Sequence, residues 1–176
     1  MESRQRDLHD FVDSLEEEWL KEVPNLQTQG LAVVARLVRM GYYIARRVDT
    51  NLARFDLTRG EFEVLAVLTR NPEAKITPKD IHAKILITSG GLSNRIRKLE
   101  EKGLLVRSPD SSDGRGVVLK ATEKGRELTL QAITSHVDVE SQLVEGLTDA
   151  EREELAALLK KLILSQSRVL NPDSLR

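Results

Sequence analysis

The stretch ITPKDIHAKILITSGGLSNRIRKLEEKGLLVRSPDSSDGRGVVLKAT, residues 76 to 122, decides how the rest of the chain is read. Thr77 suits an N-cap, Pro78 the first helical position, where its missing N–H is not needed, and Asp80 the positive end of the helix dipole. A helix from about Pro78 to Ile85 is predicted. The run LITSGG interrupts it, Thr88 or Ser89 can cap a second helix ending at Lys102, and Gly103 supplies its stop. Within the second helix Leu92, Ile96 and Leu99 recur at i, i+4 and i+7, so one face is core and Ser93, Asn94, Arg97, Lys98 and Glu101 point away from it. Leu104 to Ser108 and Val117 to Ala121 are short strand candidates, joined by a polar turn that carries Arg115 at its tip.

Hydroxyl, amide and guanidinium groups near the start of an exposed helix suit base edges in a major groove, and its cations suit phosphates. An arginine at a ribbon tip can enter a minor groove, where the negative potential is concentrated. Each feature alone also fits a helical hairpin with merely solvated charges. The ordered set of helix, turn, helix and basic-tipped ribbon is far more specific, and it points to double-stranded DNA.

Charge supports that placement. The net charge of −1 divides into +8 over residues 31 to 126 and −9 over the two ends together. DNA binding needs a local basic surface and not a basic protein, so the acidic ends are expected to face away from it. With no cysteine, disulfides, thiolate metal sites and cysteine nucleophiles are excluded. No apolar run approaches a membrane span and the acidic N-terminus does not resemble a signal peptide, so a soluble cytoplasmic protein with no membrane partner is expected.

Outside the reading unit the chain is helical. An amphipathic helix is predicted from about Gln5 to Glu22 with Leu8, Phe11, Val12, Leu15 and Trp19 on one stripe, followed by a long helix from about Leu31 to Phe55. Thr58 and Glu61 have capping-box spacing and open a helix through Thr69, apolar almost all round apart from Glu63. Thr122 can cap a helix to about Glu145. Thr148 and Glu151 repeat the capping box before a leucine stripe of Leu155, Leu158, Leu159, Leu162 and Ile163. That stripe exceeds what one small core covers, which makes a homodimer through the terminal helices the economical arrangement, with a monomeric helical bundle as the alternative.

The fold class expected is mainly α with a small β-hairpin wing: a winged helix-turn-helix with helical dimerisation extensions. Residues 1 to 56 are expected to form N-terminal helices for dimerisation and a ligand-pocket lid, 57 to 121 the winged-helix DNA-binding domain and 122 to 176 the C-terminal dimerisation helices. LTRGEFEVLAVL followed by LSNRIRKLEEKGLLVRSPDSSDGRGVVLKATEKGRE resembles the MarR family of winged-helix transcriptional regulators over roughly residues 30 to 170. The leucine-rich reading helix, the KGL turn, the Asp-x-Arg of the wing and the TEKG helix start carry the likeness. The resemblance implies a homodimer on a pseudopalindromic operator, often released by a small phenolic or anionic ligand.

The extra helix with Trp19 resembles the PecS/urate-responsive branch. That resemblance implies a ligand pocket of Trp19, Glu63, Arg95 and Arg107 for a urate-like planar anion; the branch usually has aspartate where this chain has Glu63. Helical spacing puts Arg95 at the border of core and solvent. The bland reading keeps Trp19 as core and pairs Glu63 with Arg95 or Arg107 as a structural ion pair.

An enzyme is not expected. His9, His82 and His136 are isolated, and no Gly-rich phosphate loop follows a strand. No metal or cofactor is called for beyond a small-molecule effector. The competing function is a winged-helix protein-interaction or dimerisation module that leaves DNA untouched.

Overall fold

The computed structural model describes residues 9–85, 89–109 and 116–170, the side chains of 89, 90 and 167–170 excepted. Among these residues lie seven helices and one two-stranded antiparallel sheet. The chain forms two compact units, 1–50 and 51–176.

In the first unit, α1 runs Phe11–Glu22. The expected start near Gln5 moves to Phe11, because Asp10 is extended and takes the N-cap, its carboxylate accepting from the backbone N–H groups of Val12 and Asp13. Leu8 lies outside the described residues. Helix α2, Gln29–Ala53, begins in this unit and ends in the next. Its Arg36 donates to the carboxylates of Asp10 at 2.9 Å and Asp13 at 2.6 Å, joining the two helices. That guanidinium and the capping hydrogen bonds hold both carboxyls below their ordinary range.

The second unit is built around α3, Arg59–Thr69. Thr58 and Glu61 form the capping box the spacing predicted. Val64, Leu65, Val67 and Leu68 are buried on nearly every side, as the apolar composition of the helix required. Against α3 pack α4, Pro78–Lys84, α5, Ser89–Glu101, and α6, Glu123–Leu143.

Strands β1, Leu105–Pro109, and β2, Val117–Ala121, pair in register from Leu105 opposite Ala121 to Pro109 opposite Val117. Ile76 adds one further bridge to Leu119, which ties the lead into α4 to the wing. Helix α7, Asp149–Leu170, follows a further capping box, from Thr148 and Glu151.

The root of the wing is held by close contact. Gly103 has φ +70°, the left-handed stop that favours glycine. The carbonyls that follow α5 are then taken up by the start of α6. Thr122 donates its hydroxyl to Gly103 O at 2.8 Å and its N–H to Leu104 O at 3.1 Å, and Lys124 Nζ reaches Lys102 O at 3.1 Å. Gly125 lies so near Leu104 that a Cβ there would stand 2.0 Å from its carbonyl oxygen. Only glycine allows α6 to start at this point.

Candidate nucleic-acid interface and effector site

The reading face is a consequence of helical spacing. Leu92, Ile96 and Leu99 anchor α5 in the core, while Ser93, Asn94, Arg97 and Lys98 are exposed along its other side. The guanidinium of Arg97 is held between Glu101 and Asn94, donating to Asn94 Oδ1 at 2.9 Å. This presents the amide and guanidinium together, with Glu101 as an internal competitor for the cation. Among the described residues Lys98 carries no such carboxylate partner. Arg115, predicted for the wing tip, lies outside the described residues.

The helix in front of the reading helix is firmly capped. The Asp80 carboxylate accepts from the Thr77 hydroxyl at 2.7 Å and the Thr77 N–H at 2.9 Å, and those two bonds hold its carboxyl below the ordinary carboxylate range. Thr77 in turn caps the N–H of Asp80.

Of the four residues expected to hold a ligand, Trp19 belongs to the first unit and Glu63, Arg95 and Arg107 to the second. Trp19 is exposed rather than core. Arg95 is half-buried, as its position at the edge of the apolar stripe predicted, and its side chain lies on the backbone of Gly60, where an added Cβ would be 2.0 Å from Nε. Arg107 pairs with Glu100 across 2.9 Å. Glu63 is half-buried and makes no ion pair or hydrogen bond among the described residues, so the structural pair with Arg95 or Arg107 is not formed.

Two groupings were not foreseen in the sequence. Glu61, the capping-box acid, is 2% exposed and has Lys102 Nζ at 3.6 Å, with Asp56 sharing the same ammonium at 3.3 Å. A cavity of about 490 Å³ opens between α3, α4 and α6, with Phe62, Glu63, Arg70, Lys84 and His136 in its wall. Of the four expected ligand residues only Glu63 lines it. Charged residues on three separate helices give no local spacing signal; the one hint was a carboxylate on an otherwise apolar helix.

A MarR family profile matches residues 55–116, from the turn ahead of α3 to the foot of β2. The HTH-type transcriptional regulator PecS of Dickeya dadantii is 30% identical over 153 residues, spanning 86% of this chain and 92% of PecS. This chain belongs to the MarR family. MepR of S. aureus, solved as a DNA complex, overlays on this MarR-family chain with a TM-score of 0.68 at 29% identity, covering 74% of this chain and 96% of MepR. A mutant of E. coli MarR solved with operator DNA gives 0.67 at 28% identity, covering 78% and 99%. MarR-family chains are transcriptional regulators and not enzymes. Among the described residues no group of His, Asp and Glu could hold a metal ion, and no helix is long and apolar enough to cross a membrane.

Proposed function

We propose that this MarR-family regulator is a repressor that binds a pseudopalindromic operator as a homodimer and is released by a small planar ligand, anionic or aromatic. The observation that carries the reading is the two-sided α5: Leu92, Ile96 and Leu99 locked inside, and Ser93, Asn94, Arg97 and Lys98 displayed outside. Presented this way, Asn94 and Arg97 can read base edges while Lys98 meets phosphate. The presence of DNA in the MepR and MarR structures supports the same use of this helix here. Exposed apolar side chains along α7, Leu155, Leu158, Leu162 and Ile163, support a second copy as their cover.

Release follows if the ligand binds the DNA-free arrangement more tightly. The transferred set of Trp19, Glu63, Arg95 and Arg107 supplies an indole, an acid and two guanidiniums for a planar anion such as urate. Arg95 belongs to α5 itself, so drawing it toward a ligand would alter the fit of that helix to DNA.

Band-shift and footprinting on the DNA flanking the gene test the reading. Arg97→Ala, Lys98→Ala and Arg115→Ala combined are expected to weaken binding at least about 100-fold and to flatten its salt dependence. Asn94→Ala alone is expected to relax discrimination at particular base pairs by about 1–3 kcal/mol. Unchanged, salt-independent binding by the triple variant would overturn the assignment.

A further inference from the structure

We propose that Glu101 is a specificity-determining residue of the reading helix: it braces Arg97 for the acceptor edge of a guanine in the major groove and holds that guanidinium back from phosphate. This rests on the DNA-binding reading above and assigns one base within it. The bracing follows from spacing. Asn94, Arg97 and Glu101 stand at i, i+3 and i+7 of α5, one above another on its exposed side. Arg97 Nη1 donates to Glu101 Oε1 and Nη2 to Asn94 Oδ1 at 2.9 Å, so the guanidinium plane is tied through both terminal nitrogens.

A count of donors shows what is left for DNA. A guanidinium has five N–H groups, two on each terminal nitrogen and one on Nε. One from each terminal nitrogen is taken, and among the described residues Nε has no partner. Arg97 therefore keeps three coplanar N–H groups, of which two neighbours can still meet two neighbouring acceptors. Guanine offers such a pair in O6 and N7, whereas adenine sets an amino donor beside its N7 and thymine offers O4 alone. Asn94, with its oxygen committed to Arg97, has its amide N–H groups left to present, which also calls for acceptors.

Charge separates the base from the backbone. A phosphate also offers two oxygens to a guanidinium, but it is an anion and would meet the Glu101 carboxylate beside it. Guanine is neutral, so the carboxylate can stay in place while the base is read. Lys98, the next residue, carries no carboxylate partner among the described residues and is the contrasting group, suited to phosphate. A tied side chain also loses less rotamer freedom on binding than a loose one, which favours the single geometry that matches the base.

Anisotropy titrations of the full chain on duplexes carrying the footprinted operator, with each base pair replaced in turn, test the brace. The wild type is expected to prefer one G·C pair per half-site about 5- to 150-fold over its replacements, a preference that Arg97→Ala abolishes. Glu101→Ala is expected to lower that preference at least about 3-fold and to leave the preferences at other positions unaltered. It is also expected to raise affinity for a random duplex about 2- to 5-fold at low salt, an increase that adding Arg97→Ala cancels. Glu100→Ala removes the same charge one residue away, from a carboxylate paired with Arg107, and is expected to leave the G·C preference intact. Melting temperatures of the variants check that they are folded.

The brace is overturned if Glu101→Ala keeps the full preference, if Glu100→Ala blunts it equally, if random-duplex affinity does not rise, or if the base pair that depends on Arg97 is not G·C. In each of these outcomes Arg97→Ala still relaxes one position, so the reading of DNA by α5 stands. No change at any base pair in Arg97→Ala would remove that role of Arg97 and the brace together.

Discussion

Helices α5 and α7 carry the same kind of sequence pattern and meet opposite fates. Leu92, Ile96 and Leu99 on α5 recur at helical spacing and are at most 4% exposed. On α7, Leu155, Leu158, Leu162 and Ile163 recur as regularly, yet stand 41%, 53%, 43% and 65% exposed. Periodicity therefore fixes which face of a helix is apolar but not what covers it. In the reading unit the cover comes from α3 and the hairpin of the same chain. On α7 the homodimer proposed above would supply it.

That contrast can be broken at either end. The largest effect is expected in the covered region: Leu65→Ala or Leu99→Ala should cost about 2–5 kcal/mol in chemical denaturation, because both side chains are fully enclosed. The corresponding change at Leu158 should cost far less per chain in the monomer. Next, Leu158→Asp with Leu162→Asp should give a single chain by sedimentation at micromolar concentration and lower operator affinity about 100-fold, since one half-site contact is lost. A dimer that survived both charges would transfer the interface elsewhere.

Smaller effects sharpen the picture of the reading unit. Gly125→Ala should destabilise by about 1–3 kcal/mol, as its Cβ meets the Leu104 carbonyl, a backbone atom that cannot swing aside. The smallest effect is at the cap of α4, where Thr77→Ala should cost about 1 kcal/mol.

Asp80 gives that cap a pH dependence of definite sign. Its carboxyl is lower in the folded chain than unfolded, so its contribution is complete above the ordinary carboxylate range and disappears as pH falls through the folded value. The stability difference between the wild type and Asp80→Asn should therefore close on the acid side only.

Much of the helical framework was legible because its signals are local. Thr58 with Glu61, Thr77 with Asp80 and Thr148 with Glu151 each cap within four residues, and Gly103 ends α5 by its own φ. Arg95 at the rim of the core followed from angular position alone. What could not be read depends on residues distant in sequence. The N-cap at Asp10 sets the start of α1, where the apolar stripe predicted about Gln5, and Arg36, 26 residues on, stabilises that cap. Arg107 was assigned to a ligand by likeness, while its partner in the fold is Glu100, seven residues back across the turn. The cavity draws Glu63, Lys84 and His136 from three helices whose juxtaposition no spacing announces.

Lys102 has a mechanical consequence. Its ammonium is bound at once by the Asp56 carbonyl, the Asp56 carboxylate and the buried Glu61 carboxylate. The trailing end of α5 is thereby pinned to the corner ahead of α3, while the amino-terminal end carries Ser93 and Asn94. A rod clamped at one end turns a small push into an arc at the other. A tilt imposed on the amino-terminal end would carry Ser93 and Asn94 through an arc instead of sliding the helix along its axis.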